Sequence, residues 1–325
     1  EFVRLVVAPH HRRRGIAKQL LQARSDFAKN RLHVALVEPR LRHTYSQKNA
    51  VHGGFAPVGM LPMQLCLQER ESVALCAKYF GDALRLRKNN PRIIPEAHAL
   101  AQLAMQNCGM SCDAIVDERS APYPFRSTYS CDTMTTSGYL PLLHIERGRV
   151  HHREIFGPMK LHHGLFKLRA EKAHYITVKD HDHVVAAAGL VVDLESRSAR
   201  IFELIAEGDE PIRFLLAQAC KYCGTVGATE YLTVDVSAYS PRMQRTLLEI
   251  GFLPVAYVPA MVFADVERLD AVRMVKLKAT PCFENVDAVP EIVPVFRLVA
   301  DQFTAHVVAP AIAEAVPHAP LFHGL

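Results

Sequence analysis

Three consecutive arginines, Arg12, Arg13 and Arg14, stand directly before Gly15, and a small residue, Ala17, follows two positions later. Ile16, Ala17, Leu20, Leu21, Ala23 and Phe27 recur at helical spacing, so Gly15 is the entrance to a helix that runs to about Asn30. The first amides of a helix lack intrahelical partners, and its macrodipole places roughly +0.5 charge there. Arginines supply charge and paired donors, and a glycine lets the backbone approach a ligand closely. Together these features suit a compact anion such as a pyrophosphate better than an extended polyanion. Upstream, Leu5, Val6 and Val7 belong to an apolar run, Phe2 to Val7, that reads as a strand ended by Pro9. Its backbone groups can pair with an amide-bearing ligand as with another strand. The candidate binding residues are Leu5, Val6, Val7, Arg12, Arg13, Arg14, Gly15, Ile16, Ala17 and Lys18.

Other reactive side chains stand in patterns that carry less. Cys220-Lys221-Tyr222-Cys223 has the spacing of a redox pair or half a zinc site, but it falls near the end of an expected helix with no second pair. Cys108 and Cys112, around Gly109, have no better context. His151-His152, His162-His163, His181 and His183 would ligate a metal only if the fold gathered them, and a chain with 17 histidines produces such pairs by chance. No metal is expected. Glu38 and Asp235 each lie at the end of an expected strand, where a solvated carboxylate is the simpler role than a general base.

The chain of 325 residues is 50% hydrophobic, enough for two cores of ordinary size. Its net charge of +5 is spread along the chain, which excludes a dedicated nucleic-acid surface. No run of about 18 apolar residues and no basic-then-apolar leader occurs, so a cytoplasmic protein without a membrane span is expected. Eight scattered cysteines agree with reduced thiols.

The elements that must position the arginine loop follow a β-α-β-α-β order. After the first strand and helix come a strand at Leu32 to Val37, a short helix at Thr44 to His52, a stop at Gly53-Gly54, and an extended segment from Phe55. The order returns with strand Ala199 to Ile205, helix Pro211 to Tyr222, strand Glu230 to Val236, helix Pro241 to Ile250, and Gly251-Phe252. Gly54-Phe55-Ala56-Pro57-Val58 with Pro62 matches Gly251-Phe252-Leu253-Pro254-Val255 with Pro259, and Gln47 falls on Gln244 at the same separation of 197. Two copies of one unit are therefore expected. Upstream of the second copy, Tyr139 to Ile145, Lys167 to Ala173, Tyr175 to Lys179 and Val184 to Asp193 read as its opening strands, with a hairpin turn at Asp180 to His183. The first copy begins at Glu1 already partway through the unit and is expected to lack its N-terminal half. Residues 69–135 form an expected helical connection, 136–279 the second copy, and 280–325 an extension with a helix near Val293 to Val307.

Arg12-x-x-Gly15-x-Ala17 after Val6-Val7-Ala8-Pro9 resembles motif A of the GNAT N-acetyltransferase superfamily, and the Gln47 to Phe55 helix with its Gly-Phe ending resembles motif B. The resemblance covers residues 2 to about 65 in motif and 139 to 265 by element order. It implies an α/β fold with a mixed sheet, as tandem GNAT-like domains with residues 1–68 as the first. It also implies acetyl-CoA as co-substrate and transfer of an acyl group to an amine, whose identity the sequence leaves open. Many members place a tyrosine acid four residues before the motif B glycine; here that position is Ala50 or Leu247. Tyr45 and Ser46 are the nearby hydroxyls, and no residue is assigned as catalytic. The second copy has Glu207-Gly208-Asp209-Glu210 where the arginine loop should be, acidic where the ligand is anionic. An N-acyltransferase and a non-catalytic acyl-CoA-sensing or scaffolding module both remain open.

Overall fold

The computed structural model describes residues 5–134, 153–157, 173–226 and 228–314. A short 3-10 turn at Pro9–His11 leads into α1 (Ile16–Ala28), β1 (Val34–Val37), α2 (Thr44–His52) and the hairpin of β2 (Ala56–Cys66) and β3 (Arg70–Tyr79). Next come β4 (Arg92–Ile93), α3 (Pro95–Asn107), β5 (Ile115–Val116), β6 (Ser130–Met134), β7 (Ile155–Phe156), β8 (Ala173–Asp180), β9 (His183–Asp193) and β10 (Ser198–Ala206). The chain continues through α4 (Ile212–Val226), β11 (Tyr231–Ser237), α5 (Pro241–Glu249), β12 (Leu253–Ala264), β13 (Glu267–Leu277) and α6 (Val293–Glu314). The expected segments Tyr139 to Ile145 and nearly all of Lys167 to Ala173 lie outside the described residues.

The first unit, α1 to β3, and the second, α4 to β13, have the same element order. Four element pairs start 197 residues apart, at 34 and 231, 44 and 241, 56 and 253, and 70 and 267. Residues 70–79 form a strand, which corrects the reading of Val73, Leu75 and Cys76 as helically spaced within a helix-rich stretch from Glu69 to Cys112. Val73 to Ala77 is a continuous apolar run that β3 buries from both sides, and such a run has no periodicity that separates strand from helix.

The large sheet is mixed and has 11 strands in the order β1-β3-β2-β12-β13-β11-β10-β9-β8-β6, with β7 attached to β11. Its parallel neighbours are β10 and β11, joined by the crossover helix α4, and its other ladders are antiparallel. The two units meet where β2 lies against β12, through one paired position, Gly59 with Ala256, again 197 apart. A Cβ at Gly59 would fall 2.2 Å from Ala256 Cβ and 2.5 Å from Val255 O, so only glycine lets the backbones come this close. Beyond the contact both strands break register, and Met63 in one and Ala260 in the other take left-handed backbone at φ 52 and 49.

The segments that follow each hairpin cross to the opposite unit. α3 packs on β12 as well as β2, and α6 on β2 as well as β12. Two fully buried glutamines receive them. Gln47 on α2 accepts from Val289 N at 2.9 Å and donates to Asp287 O at 2.8 Å. Gln244 on α5 accepts from Ile94 N at 3.1 Å and donates to Arg92 O at 3.4 Å. Each also donates, at 3.0 Å, to backbone ahead of its own helix, at Arg40 O and at Ser237 O on the end of β11. A buried amide needs all such partners satisfied. One apolar cluster runs continuously from Leu21 to Phe303 as a result.

Because the units share this core, Gly59→Ala is expected to lower the free energy of unfolding by about 1–3 kcal/mol through overpacking. Denaturant titration followed by both near-UV and far-UV dichroism should show the loss in one coincident transition; an unchanged midpoint would refute the close-contact argument.

Candidate coenzyme site

The arginine loop is open to solvent. Arg12, Arg13, Arg14 and Gly15 are exposed, Ile16 and Ala17 are half-buried, and Lys18 is exposed on the first turn of α1. Gly15 caps the helix at φ 74 and Arg13 stands at φ 63, so the chain makes two left-handed steps into α1. Gly15 has nothing within 4 Å of where a Cβ would lie, so its requirement is conformational. Arg12 Nε donates to Val7 O at 3.4 Å, and Arg14 Nη1 to His11 Nδ1 at 3.2 Å, which folds both stems back against the loop. No acidic side chain occupies the first turn of α1, and its first internal bond is Gln19 N to Gly15 O. The amides of Ile16, Ala17 and Lys18 therefore precede the helical ladder and have no acceptor within it.

Leu5 and Val7 are half-buried while Val6 is 80% exposed, an alternation that a strand would show. Residues 5–8 nevertheless make no ladder, and among the described residues β1 pairs only with β3, leaving it at the sheet edge. The expected strand from Phe2 to Val7 is thus present in pattern but has no described partner; Phe2 and Val3 lie outside the described residues.

The hydroxyl candidates stand on α2. Tyr45 is 74% exposed with its ring 6.0 Å from that of His43, and Ser46 keeps a solvent-shielded Oγ with no protein partner. Ala50 and Leu247, four residues before the paired glycines, are both buried in the core, so neither unit presents a side-chain acid there.

In the second unit strand β10 leads through an acidic loop into α4, so the residues ahead of the helix carry the opposite charge. Ahead of α4, Asp209 takes a bond from Arg242 and Glu210 from Arg126, both at 2.6 Å, and Glu207 lies 2.8 Å from His183 Nε2. These acids lie in the loop ahead of the helix rather than in its first turn, and each is paired with a basic side chain.

Glu38 and Asp235 converge on one arginine rather than on solvent. Arg273 lies 3.6 Å from Glu38 Oε1 and donates to Asp235 at 2.7 and 3.1 Å, and Arg200 also donates to Asp235. Asp235 is fully buried; burial alone would raise its pKa, but Arg273 and Arg200 outweigh it and hold the carboxyl below its usual range. Neither acid is free to take a proton from a substrate. A similar buried cluster joins Arg87 to Asp113 and Asp270 at 2.7 Å each.

Cys220 and Cys223 are buried on α4, and desolvation pushes their thiols up to about 11 and about 12, which makes them unreactive near neutrality. Cys108, half-buried, is pushed up to about 11 by the same cause. Among the described residues no three of His, Cys, Asp and Glu gather as a metal site, and His151, His152, His162 and His163 lie outside them. No helix of the described residues is long and apolar enough to cross a membrane. A cleft of about 280 Å³ lies between the β2–β3 turn and the segment before α6, lined by Arg42, Glu69, Glu71 and Cys282 among others. Glu71 there is gripped by Arg40 at 2.7 and 2.6 Å and by Arg42 at 3.2 Å. Sequence inspection did not single out this cleft or β7, since both depend on residues far apart in the chain.

Residues 1–49 match the acetyltransferase (GNAT) family. Among solved structures, the chain is similar to a spermidine N-acetyltransferase SpeG mutant from Vibrio cholerae, at 19% identity and TM-score 0.40, over 47% of this chain and 95% of that one. The same enzyme in complex with CoA and spermine matches at 19% identity and TM-score 0.38, over 47% and 97%. No curated protein matches the chain.

The ionised Asp235 makes a specific demand on pH. Its folded pKa lies below the unfolded value of about 3.9, so the unfolded state binds the extra proton between those two limits. That contribution is complete above about pH 4 and is lost as pH falls toward the folded pKa. Urea titrations from pH 6 to pH 2 should show this loss, and Asp235→Asn should be less stable at pH 6 with a flatter acid limb. An unaltered acid limb in the variant would contradict the assignment.

Proposed function

We propose that the chain binds acyl-CoA at the entrance of α1 and transfers an acetyl group from acetyl-CoA to an amine acceptor, with residues 1–68 as the coenzyme-binding unit and 136–279 as a second, degenerate copy. The observation that supports this best is the pairing of an unobstructed helix N-terminus with Arg12, Arg13, Arg14 and the left-handed Gly15, inside the stretch that matches the family. Pyrophosphate oxygens would accept from the amides of Ile16 to Lys18 and from the guanidinium groups. The pantetheine amides would run along Leu5 to Val7. In the transfer step the amine nitrogen attacks the thioester carbonyl carbon, the C–N bond forms as the C–S bond breaks, and the proton lost from nitrogen ends on the departing sulfur. A lysine-like amine with pKa of about 10.4 must shed a proton before attack.

A specific observation favours a second reading, acyl-CoA sensing without turnover. Ala50 and Leu247 are buried where a tyrosine acid would stand, and Tyr45 and Ser46 are the remaining hydroxyl candidates beside the loop's partner helix. The acidic loop at Glu207 to Glu210 supports a structural or presenting role for the second copy.

Calorimetric titration with acetyl-CoA tests the binding step. Arg12→Ala is expected to weaken binding about 10- to 100-fold, in line with the roughly 1.5–3 kcal/mol carried by a charged hydrogen bond, and Gly15→Asp to abolish it. Charge reversal at Glu207 and Glu210 should leave the affinity unchanged. The absence of binding by the unaltered chain, or a reversal of these two effects, refutes the assignment. Thiol release across a panel of amines then separates the readings, since binding without release denotes the sensor.

A further inference from the structure

Strands β10 and β11 pair in parallel only from Ser198 with Tyr231 to Ile201 with Val234, and then diverge. In open sheets, ligands occupy the crevice beyond the carboxyl ends of two strands joined by a crossover helix. Here the crevice is filled by the chain itself. Ile155 and Phe156 pair with Val236 and Asp235 in antiparallel register, and Ser237 N donates to Glu154 O at 2.8 Å. On the opposite wall, Gly157 lies so close to β10 that a Cβ would come within 2.2 Å of Phe202 O. Phe202 sits where the β9–β10 register shifts, between Ile201 and Glu203. Side chains fix the segment at its N-terminal end: Tyr123 OH donates to Glu154 Oε1 at 2.8 Å, and Arg153 Nη1 lies 3.2 Å from Glu203 Oε1. Ile155 and Phe156 are buried.

We propose that β7 is an internal ligand of the second unit, occupying the crevice in which an acyl-pantetheine arm would lie, so that the chain takes one acyl-CoA and takes it at α1. The inference rests on the reading that acyl-CoA is the ligand. Two features close the second unit independently. Backbone pairing by Glu154 to Phe156 uses the edge of β11 as an added strand would, and Asp209 and Glu210 hold the entrance of α4 against an anion. In the first unit neither feature recurs among the described residues. β1 ends the sheet, and the residues directly ahead of α1 are Arg12, Arg13, Arg14 and Gly15, with no acid among them.

Acetyl-CoA titration of the full chain should give one site, and the Arg12→Ala, Gly15→Asp double variant should have none. Two sites per chain, or a site that survives in the double variant, would overturn the proposal. Hydrogen exchange tests the strand itself without reference to the ligand. Gly157→Val cannot seat against Phe202, so the Ser237 amide should exchange at least tenfold faster while Met274, in the β12–β13 ladder, is unaffected. If that variant fails to fold, Ile155→Ser carries the same test. Unchanged Ser237 exchange in a folded variant would show that β7 does not hold the crevice. Failure of the chain to bind acetyl-CoA at all would refute the coenzyme reading, and the Ser237 result would still decide whether the crevice is filled.

Discussion

The contact between Gly59 and Ala256 is the constraint on which the arrangement depends. It brings β2 and β12 together at one pair of equivalent positions, with no room for a side chain on the β2 partner. Antiparallel meeting of equivalent positions relates the two hairpins by an approximate two-fold axis, so whatever follows one hairpin is directed onto the other unit. That explains why α3 and α6 cross over and why Gln47 and Gln244 perform the same task on opposite sides. It also explains how Glu38 and Asp235 come to share Arg273. Buried ion pairs of this kind contribute less to net stability than to fixing one geometry, because desolvation offsets most of the attraction.

The loops ahead of the two equivalent helices carry opposite charge, Arg12 to Arg14 in one and Glu207 to Glu210 in the other. In both units the helix, α1 or α4, stands directly before the equivalent strand, β1 or β11, in the element order. At α1 the nearby charges are arginines held only by weak local bonds, and at α4 they are acids already satisfied by Arg126, Arg242 and His183. A helix end attracts anions in either case; the difference is whether the chain has supplied its own.

Much of this was legible in the sequence because it depended on local signals. The helix at Gly15, the short helices at Thr44 and Pro241, and the 197-residue repeat follow from glycine stops, apolar spacing and matched prolines. The hairpin at Asp180 to His183 follows likewise, with His181 at φ 57 in the turn. β3 was not legible as a strand, since its uniformly apolar Val73 to Ala77 fits either element until two neighbouring layers bury it. The roles of Glu38 and Asp235 were hidden for a different reason: the arginine they share lies on β13, brought there by sheet order alone. β7 is two residues long and gains its meaning only from the divergence of β10 and β11.

Of the two helix entrances, α1 is the one we propose to receive the coenzyme. Hydrogen exchange of the full chain with and without acetyl-CoA measures that directly. Protection confined to the amides of Ile16 to Gln19 is the predicted result. Protection at Ile212 to Leu215 instead, or at neither helix, would contradict it.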